Sequence, residues 1–125
     1  MKGYTLDAGG LIAVDRHDRR VLVFLELARQ EEARITIPAT AFAQVIRNPS
    51  RQVWLRRLIA DPRTDLVSLD TAEATAVGLL LARTRTADIV DAHVVLCAQR
   101  TGQAVITSDA RDLRRLSADL PLIAI

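Results

Sequence analysis

Aromatic residues are almost missing from this chain: one Trp, one Tyr and two Phe make up 3% of its 125 residues. Base stacking therefore cannot be its main way of holding nucleic acid. Cysteine is nearly absent too. The single Cys97 falls inside an apolar helix, which excludes a disulfide framework and reads as a buried small hydrophobe in a reducing cytoplasm. No apolar run approaches the roughly 18 residues that a membrane span requires. Met1-Lys2-Gly3 leads straight into a strand-like segment rather than a secretory signal, so the expectation is a cytoplasmic protein with no membrane partner. Lysine occurs once, as Lys2, so sixteen of the 17 basic residues are arginine. Arginine makes bidentate contacts to phosphate, which is compatible with nucleic acid, although coding bias produces the same excess and the formal net charge is only +2.

What remains is 50% hydrophobic and 26% charged, the balance of a globular α-rich or α/β protein. The length suits one core, and residues 1–125 read as one domain without a repeat or linker.

The stretch from Thr86 to Ala98 organises the chain. Asp88 and Asp91 sit three apart on the first turn of a helix whose continuation, Val94 to Cys97, is apolar and suited to burial. Two like charges at the mouth of a core call for a cation, while an N-cap and a first-turn acid account for the same residues. Before this helix come a strand at Gly3–Leu6 ending on Asp7, then Ala8-Gly9-Gly10 and a helix start, an amphipathic helix from Val21 to about Glu32, and a strand at Arg34–Pro38. Thr40 then looks like the cap of a helix burying Phe42, Val45 and Ile46, and Gln52 to Ala60 forms another around Trp54 and Leu55. A third strand is expected at Leu66–Leu69, followed by a helix capped by Asp70 or Thr71 that carries Ala76, Leu79 and Leu80 inward. After the organising helix come a strand at Ala104–Thr107 leading to Asp109, a short helix with Asp109 and Asp112 at its start, and a strand at Leu122–Ile125. Alternating strands and helices without hairpin signals imply a parallel sheet of five strands covered on both faces, a three-layer α/β/α fold.

Asp7 and Asp109 follow strand ends, and Asp88 and Asp91 open a helix that precedes one of those strands, so they can converge on one edge. Carboxylates gathered there repel unless a hard cation lies between them, and oxygen-only ligation suits Mg2+ or Mn2+. Zinc is disfavoured, since Cys97 is expected to be buried and the two histidines are far apart.

The order Thr5-Leu6-Asp7, a helix after Ile37-Pro38, the Asp91-Ala92-His93-Val94-Val95 helix and Thr107-Ser108-Asp109 resembles the PIN-domain ribonucleases, specifically the VapC toxins of bacterial toxin–antitoxin modules. The likeness spans essentially the whole chain and is most specific over residues 86 to 113. It implies that Asp7, Asp91 and Asp109 are metal-binding acids, with Asp88 an additional acid and Asp112 behind them. Gln44 stands where the family usually has a Glu, and Gly9 where a hydroxyl residue often follows the first acid. The resemblance further implies a homodimer, metal-dependent endonucleolytic cleavage of RNA, and a VapB-type antitoxin whose C-terminal segment fills the active-site groove. The apolar stripes Val21 to Ala28 and Trp54 to Ile59 are candidate walls for that partner, with core packing as their other use. The Gln44 departure keeps open a degenerate, non-catalytic PIN module that binds RNA or protein.

Two other classes fit poorly. A receiver domain needs a lysine near its acidic pocket, and a dinucleotide-binding domain needs Gly-x-Gly-x-x-Gly after the first strand; neither is present. His93 follows Asp91 by about 200° of helix, so it is expected to point away from the acids. His17 falls in a polar break. Arg47, Arg51, Arg83, Arg85 and Arg111 are candidate phosphate contacts, Arg85 and Arg111 foremost for lying next to the acids, and Ser108 can position water or substrate.

Overall fold

The computed structural model describes residues 2–125. Five strands, β1 (Gly3–Leu6), β2 (Arg34–Pro38), β3 (Thr64–Val67), β4 (Ala104–Thr107) and β5 (Leu122–Ala124), form one sheet in the order β3-β2-β1-β4-β5. Every neighbouring pair is parallel. The helices are α1 (Ala8–Asp15), α2 (Arg19–Gln30), α3 (Ala39–Val45), α4 (Val53–Ala60), α5 (Thr71–Thr84), α6 (Ile89–Thr101) and α7 (Ala110–Leu116). Successive residues Val105, Ile106 and Thr107 are all buried, which requires cover on both faces of the sheet and gives the expected three-layer α/β fold. Leu6, Leu11, Ile37, Leu55, Ile106 and Leu113 fill the core, each worth about 1.5–3 kcal/mol of burial.

The strand order creates the site. The chain builds outward from β1 through β2 and β3, then returns to the other side of β1 with β4 and β5. Beyond the carboxyl ends of β1 and β4, where the direction reverses, connections leave to opposite sides and open a crevice. Leu6 pairs with Ile106 there, and the Asp7 N–H reaches the Ile106 carbonyl at 3.4 Å. A close approach of α1 to β4 fixes this corner: a Cβ on Gly10 would lie 2.7 Å from the Ile106 carbonyl oxygen. At the opposite end of β1, Gly3 has φ +98° and its Cβ would overlap the Arg34 carbonyl.

Local details depart from the sequence expectations. The third strand runs over Thr64–Val67 rather than Leu66–Leu69, pairing Ile35 with Thr64 and Pro38 with Val67. Thr36 pairs with Asp65, and Asp65 accepts both arms of the Arg34 guanidinium at 2.9 and 2.6 Å. Thr40 caps nothing: α3 begins after Pro38, and the Thr40 hydroxyl is engaged by His93 Nδ1 at 2.7 Å. Leu79 faces outward, 64% exposed, because α5 is rotated to bring Glu73, Val77 and Leu80 inward. Glu73 meets Arg100 and His93 of α6 on that face.

Candidate metal centre

Asp7 leaves β1 with extended backbone and caps α1, its carboxylate accepting the Gly10 N–H at 2.8 Å. It is 5% exposed. Burial pushes its carboxyl above the ordinary 3.8, opposed by hydrogen bonds from the Thr107 hydroxyl and the Gly10 N–H, while Asp109 adds a push upward. Thr107 couples the two strand ends, because its Oγ1 also accepts the Asp109 N–H at 2.8 Å. That role of Thr107 is not legible in the sequence, where the neighbouring Ser108 draws attention as a hydroxyl that can position water or substrate.

Asp88 and Asp91 enter from α6, which runs back along the sheet so that its N-terminus lies at the same edge. Asp88 caps the helix by accepting the Asp91 N–H at 2.9 Å, so capping and acid gathering are the same arrangement. Asp91 is partly buried in the first turn, and its pKa is pushed up to about 6. Desolvation is the largest cause, followed by the charges of Asp88, Asp112, Asp7 and Asp109. Asp109 is raised in turn, chiefly by the Asp112 carboxyl hydrogen-bonded to it. Five carboxylates from β1, α6, β4 and α7 thus feel one another at the switch point.

Beside them opens a cleft of about 270 Å³ lined by Arg85, Thr86, Asp88, Asp91, Asp112 and Arg115. Arg85 is at the expected place, but the second arginine is Arg115, 3.9 Å from Asp112, rather than Arg111. Arg47 is occupied elsewhere, its guanidinium closing the end of α3 on the carbonyls of Ala43 and Ile46 at 2.9 and 2.7 Å. Gln44 is exposed on α3, one turn beyond Thr40, on a helix that packs against both α1 and α6. Gly9 lies against Ser108; a Cβ there would be 2.0 Å from the Ser108 hydroxyl, so Ser108 occupies the space a side chain at position 9 would need.

The oxygen-only donor set fits a hard divalent cation. It is a loose set, however: among the described residues, the group whose ligand atoms all lie within 4.8 Å of one another is Glu73, His93 and Cys97. His93 is fully buried, and Cys97 is buried with its thiol raised to about 12 by desolvation. Cys97 is buried as expected, and one histidine, His93, together with Glu73 of α5 lies beside it.

A second concavity of about 530 Å³ separates α2 from α4 and is walled by Leu22, Leu25 and Ala28 on one side and Trp54 and Leu58 on the other. Val21, expected in that wall, belongs to the core instead. His17 stacks on Trp54 with centroids 3.9 Å apart, and Arg57 lies 5.0 Å from the same ring.

A family model for the PIN domain matches residues 4–119. The chain belongs to the PIN domain family. PIN domains are generally nucleases, and this member carries its acids at the switch point of the sheet. No curated protein matches its sequence. Solved structures share the fold. A chain in the structure of VapBC from Salmonella typhimurium bound to DNA is 18% identical at a TM-score of 0.71, covering 99% of this chain and 98% of that one. A chain of VapBC2 from Rickettsia felis, bound to a DNA fragment from their promoter, is 16% identical at 0.68, with 98% of each covered. A chain of FitAcB from Neisseria gonorrhoeae is 16% identical at 0.62, with 96% of each covered. No helix of the described residues is long and apolar enough to cross a membrane.

Proposed function

We propose that this PIN domain is a Mg2+- or Mn2+-dependent endoribonuclease and the toxin of a VapBC-type pair. The convergence of Asp7, Asp88, Asp91, Asp109 and Asp112, whose charges add to the desolvation that lifts Asp91 to about 6, carries the proposal. Asp7, Asp91 and Asp109 would hold the ion, Asp88 would add charge or orient water, and Gln44 would be a weak or water-mediated ligand. When bound, the ion would lower the pKa of a coordinated water and offset charge building on a phosphoryl oxygen. The chain's own side chains do the positioning. Thr107 holds Asp7 and the Asp109 backbone in one hydrogen-bonded unit, and Arg85 and Arg115 set two guanidinium groups beside the acids, where RNA phosphates would lie.

The partner assigned to the apolar groove between α2 and α4 is a VapB-type antitoxin. Supporting this, the similar structures are of VapBC and FitAB proteins, and the groove presents apolar walls beside the stacked Trp54. A homodimer in the cytoplasm is part of the same proposal. A second reading, a PIN module that binds RNA or protein without cutting, draws on the neutral Gln44. Incubating purified protein with a pool of single-stranded and structured RNA in Mn2+, Mg2+ or EDTA separates the two. Metal-dependent cutting that vanishes in Asp7→Asn is expected; binding without cutting, unchanged by that substitution, selects the second reading.

A further inference from the structure

Away from the acid cluster, on the far side of α6 from Asp91, three different ligand types meet. His93 and Cys97 are four residues apart, on one face of α6, and Glu73 comes from α5, which packs alongside. One ring nitrogen, the thiol sulfur and one carboxylate oxygen lie within 4.8 Å of one another. All three residues are buried: His93 is 0% exposed, Cys97 3% and Glu73 7%.

Two of the polar atoms here face each other without making a hydrogen bond. Glu73 Oε1 and His93 Nε2 are buried without a hydrogen-bond partner, 3.4 Å apart in poor alignment. The remaining atoms of both groups are engaged. Thr40 Oγ1 holds His93 Nδ1 at 2.7 Å, which turns Nε2 toward Glu73, and Arg100 holds the other Glu73 oxygen. Buried polar atoms are almost always hydrogen-bonded, so two orphans facing each other beside a thiol ask for an explanation. A metal ion supplies one. The second-position contact from Thr40 is of the kind that orients ligating imidazoles.

We propose that Glu73, His93 and Cys97 form a second metal site, distinct from the acid cluster and selective for a borderline-soft ion, Zn2+ above all, which ties α5 to α6. Nitrogen, sulfur and one oxygen are zinc donors, whereas Mg2+ and Mn2+ prefer oxygen alone. Binding releases the thiol proton to solvent, and the thiolate and the Glu73 carboxylate then offset the two positive charges of the ion. Arg100, with its side chain 52% exposed, marks the solvent side of the site.

Co2+ is the probe of choice, since a thiolate ligand gives it a near-ultraviolet charge-transfer absorption. The full chain, stripped of metal with a chelator, is titrated with Co2+ and then with Zn2+. The same titration on Asp91→Asn weakens the acid cluster. Expected is one thiolate–cobalt band per chain, equally strong in Asp91→Asn, displaced by Zn2+, and absent from Cys97→Ala, a small apolar replacement whose folding is checked by circular dichroism. Thr40→Val should weaken Zn2+ binding by roughly 10- to 100-fold by freeing the His93 ring. Absence of the band in folded wild-type protein with excess Co2+, or its persistence in Cys97→Ala, overturns the proposal and leaves the triad as packing.

Discussion

Replacing Asp91 with Asn should make the metal-free protein more stable at neutral pH, the reverse of the usual result for a partly buried residue. The rise of Asp91 from 3.8 to about 6 corresponds to at most ~3 kcal/mol at about 1.4 kcal/mol per pH unit. Asp91 is only partly buried, and solvent screening reduces that to ~1–2 kcal/mol. Unfolded chains titrate this group near 3.8 and the folded chain near 6, so between those values the folded state binds more protons and stability falls as pH rises. Below pH 3.8 both states are protonated and the penalty is gone; above pH 6 it is fully present. Asn carries no charge and keeps the shape, and the capping contact uses the backbone N–H of residue 91, which the substitution retains. Thermal unfolding in EDTA should therefore show wild type and Asp91→Asn melting together near pH 3.5 and the variant melting roughly 3–8 °C higher at pH 7. Saturating Mn2+ should reverse the order by stabilising the wild type alone. A variant that is less stable at pH 7 in EDTA, or a difference that does not change with pH, would refute the electrostatic argument.

Thr107→Val removes the hydroxyl that links Asp7 to the Asp109 N–H, so it should cost about 1–3 kcal/mol in urea unfolding. Asp7 then loses a contact that lowers its pKa, and the acid limb of the cleavage profile should move to higher pH. Gly10→Ala places a methyl 2.7 Å from the Ile106 carbonyl and should cost about 1–3 kcal/mol while displacing Asp7, read as joint losses of melting temperature and Mn2+ affinity. Leu113→Ala, under α7, should cost about 2–5 kcal/mol by chemical denaturation. Gln44→Glu should raise Mn2+ affinity by roughly tenfold, measured by calorimetry, by adding a charged oxygen donor on α3.

Much of this architecture is legible in the residues because local signals and burial agree. Strand, acid, glycine and helix follow one another at Leu6 to Leu11, and the parallel sheet follows from the alternation of strands and helices. The aspartates at 7, 88, 91 and 109 are visible because each sits at the end of an element, and their gathering then depends only on strand order. Contacts made across the fold are not visible. Arg115 reaches the cleft where Arg111 does not because the turn of α7 decides which side faces Asp91, and a seven-residue helix has too few apolar positions to reveal its phase. Thr40 has the composition of a cap, yet its hydroxyl is captured by a histidine 53 positions away. Glu73 lies in the first turn of α5, and its burial against His93 and Arg100 depends on how α5 lies on α6. The β3 register likewise is a cross-strand matter: Leu66 pairs with Ile37 and Val67 with Pro38, and Arg34 meets Asp65 beside them.

The central claim is that the five carboxylates form a site for a hard divalent cation, and Mn2+ binding tests it without reference to any substrate. Electron paramagnetic resonance of Mn2+ titrated into the full chain should show saturable binding at pH 7.5 that weakens as pH falls through about 6 and is lost in the Asp7→Asn, Asp91→Asn double variant. Saturable Mn2+ binding that survives the double substitution, or no binding by folded wild-type protein at millimolar Mn2+, would contradict it.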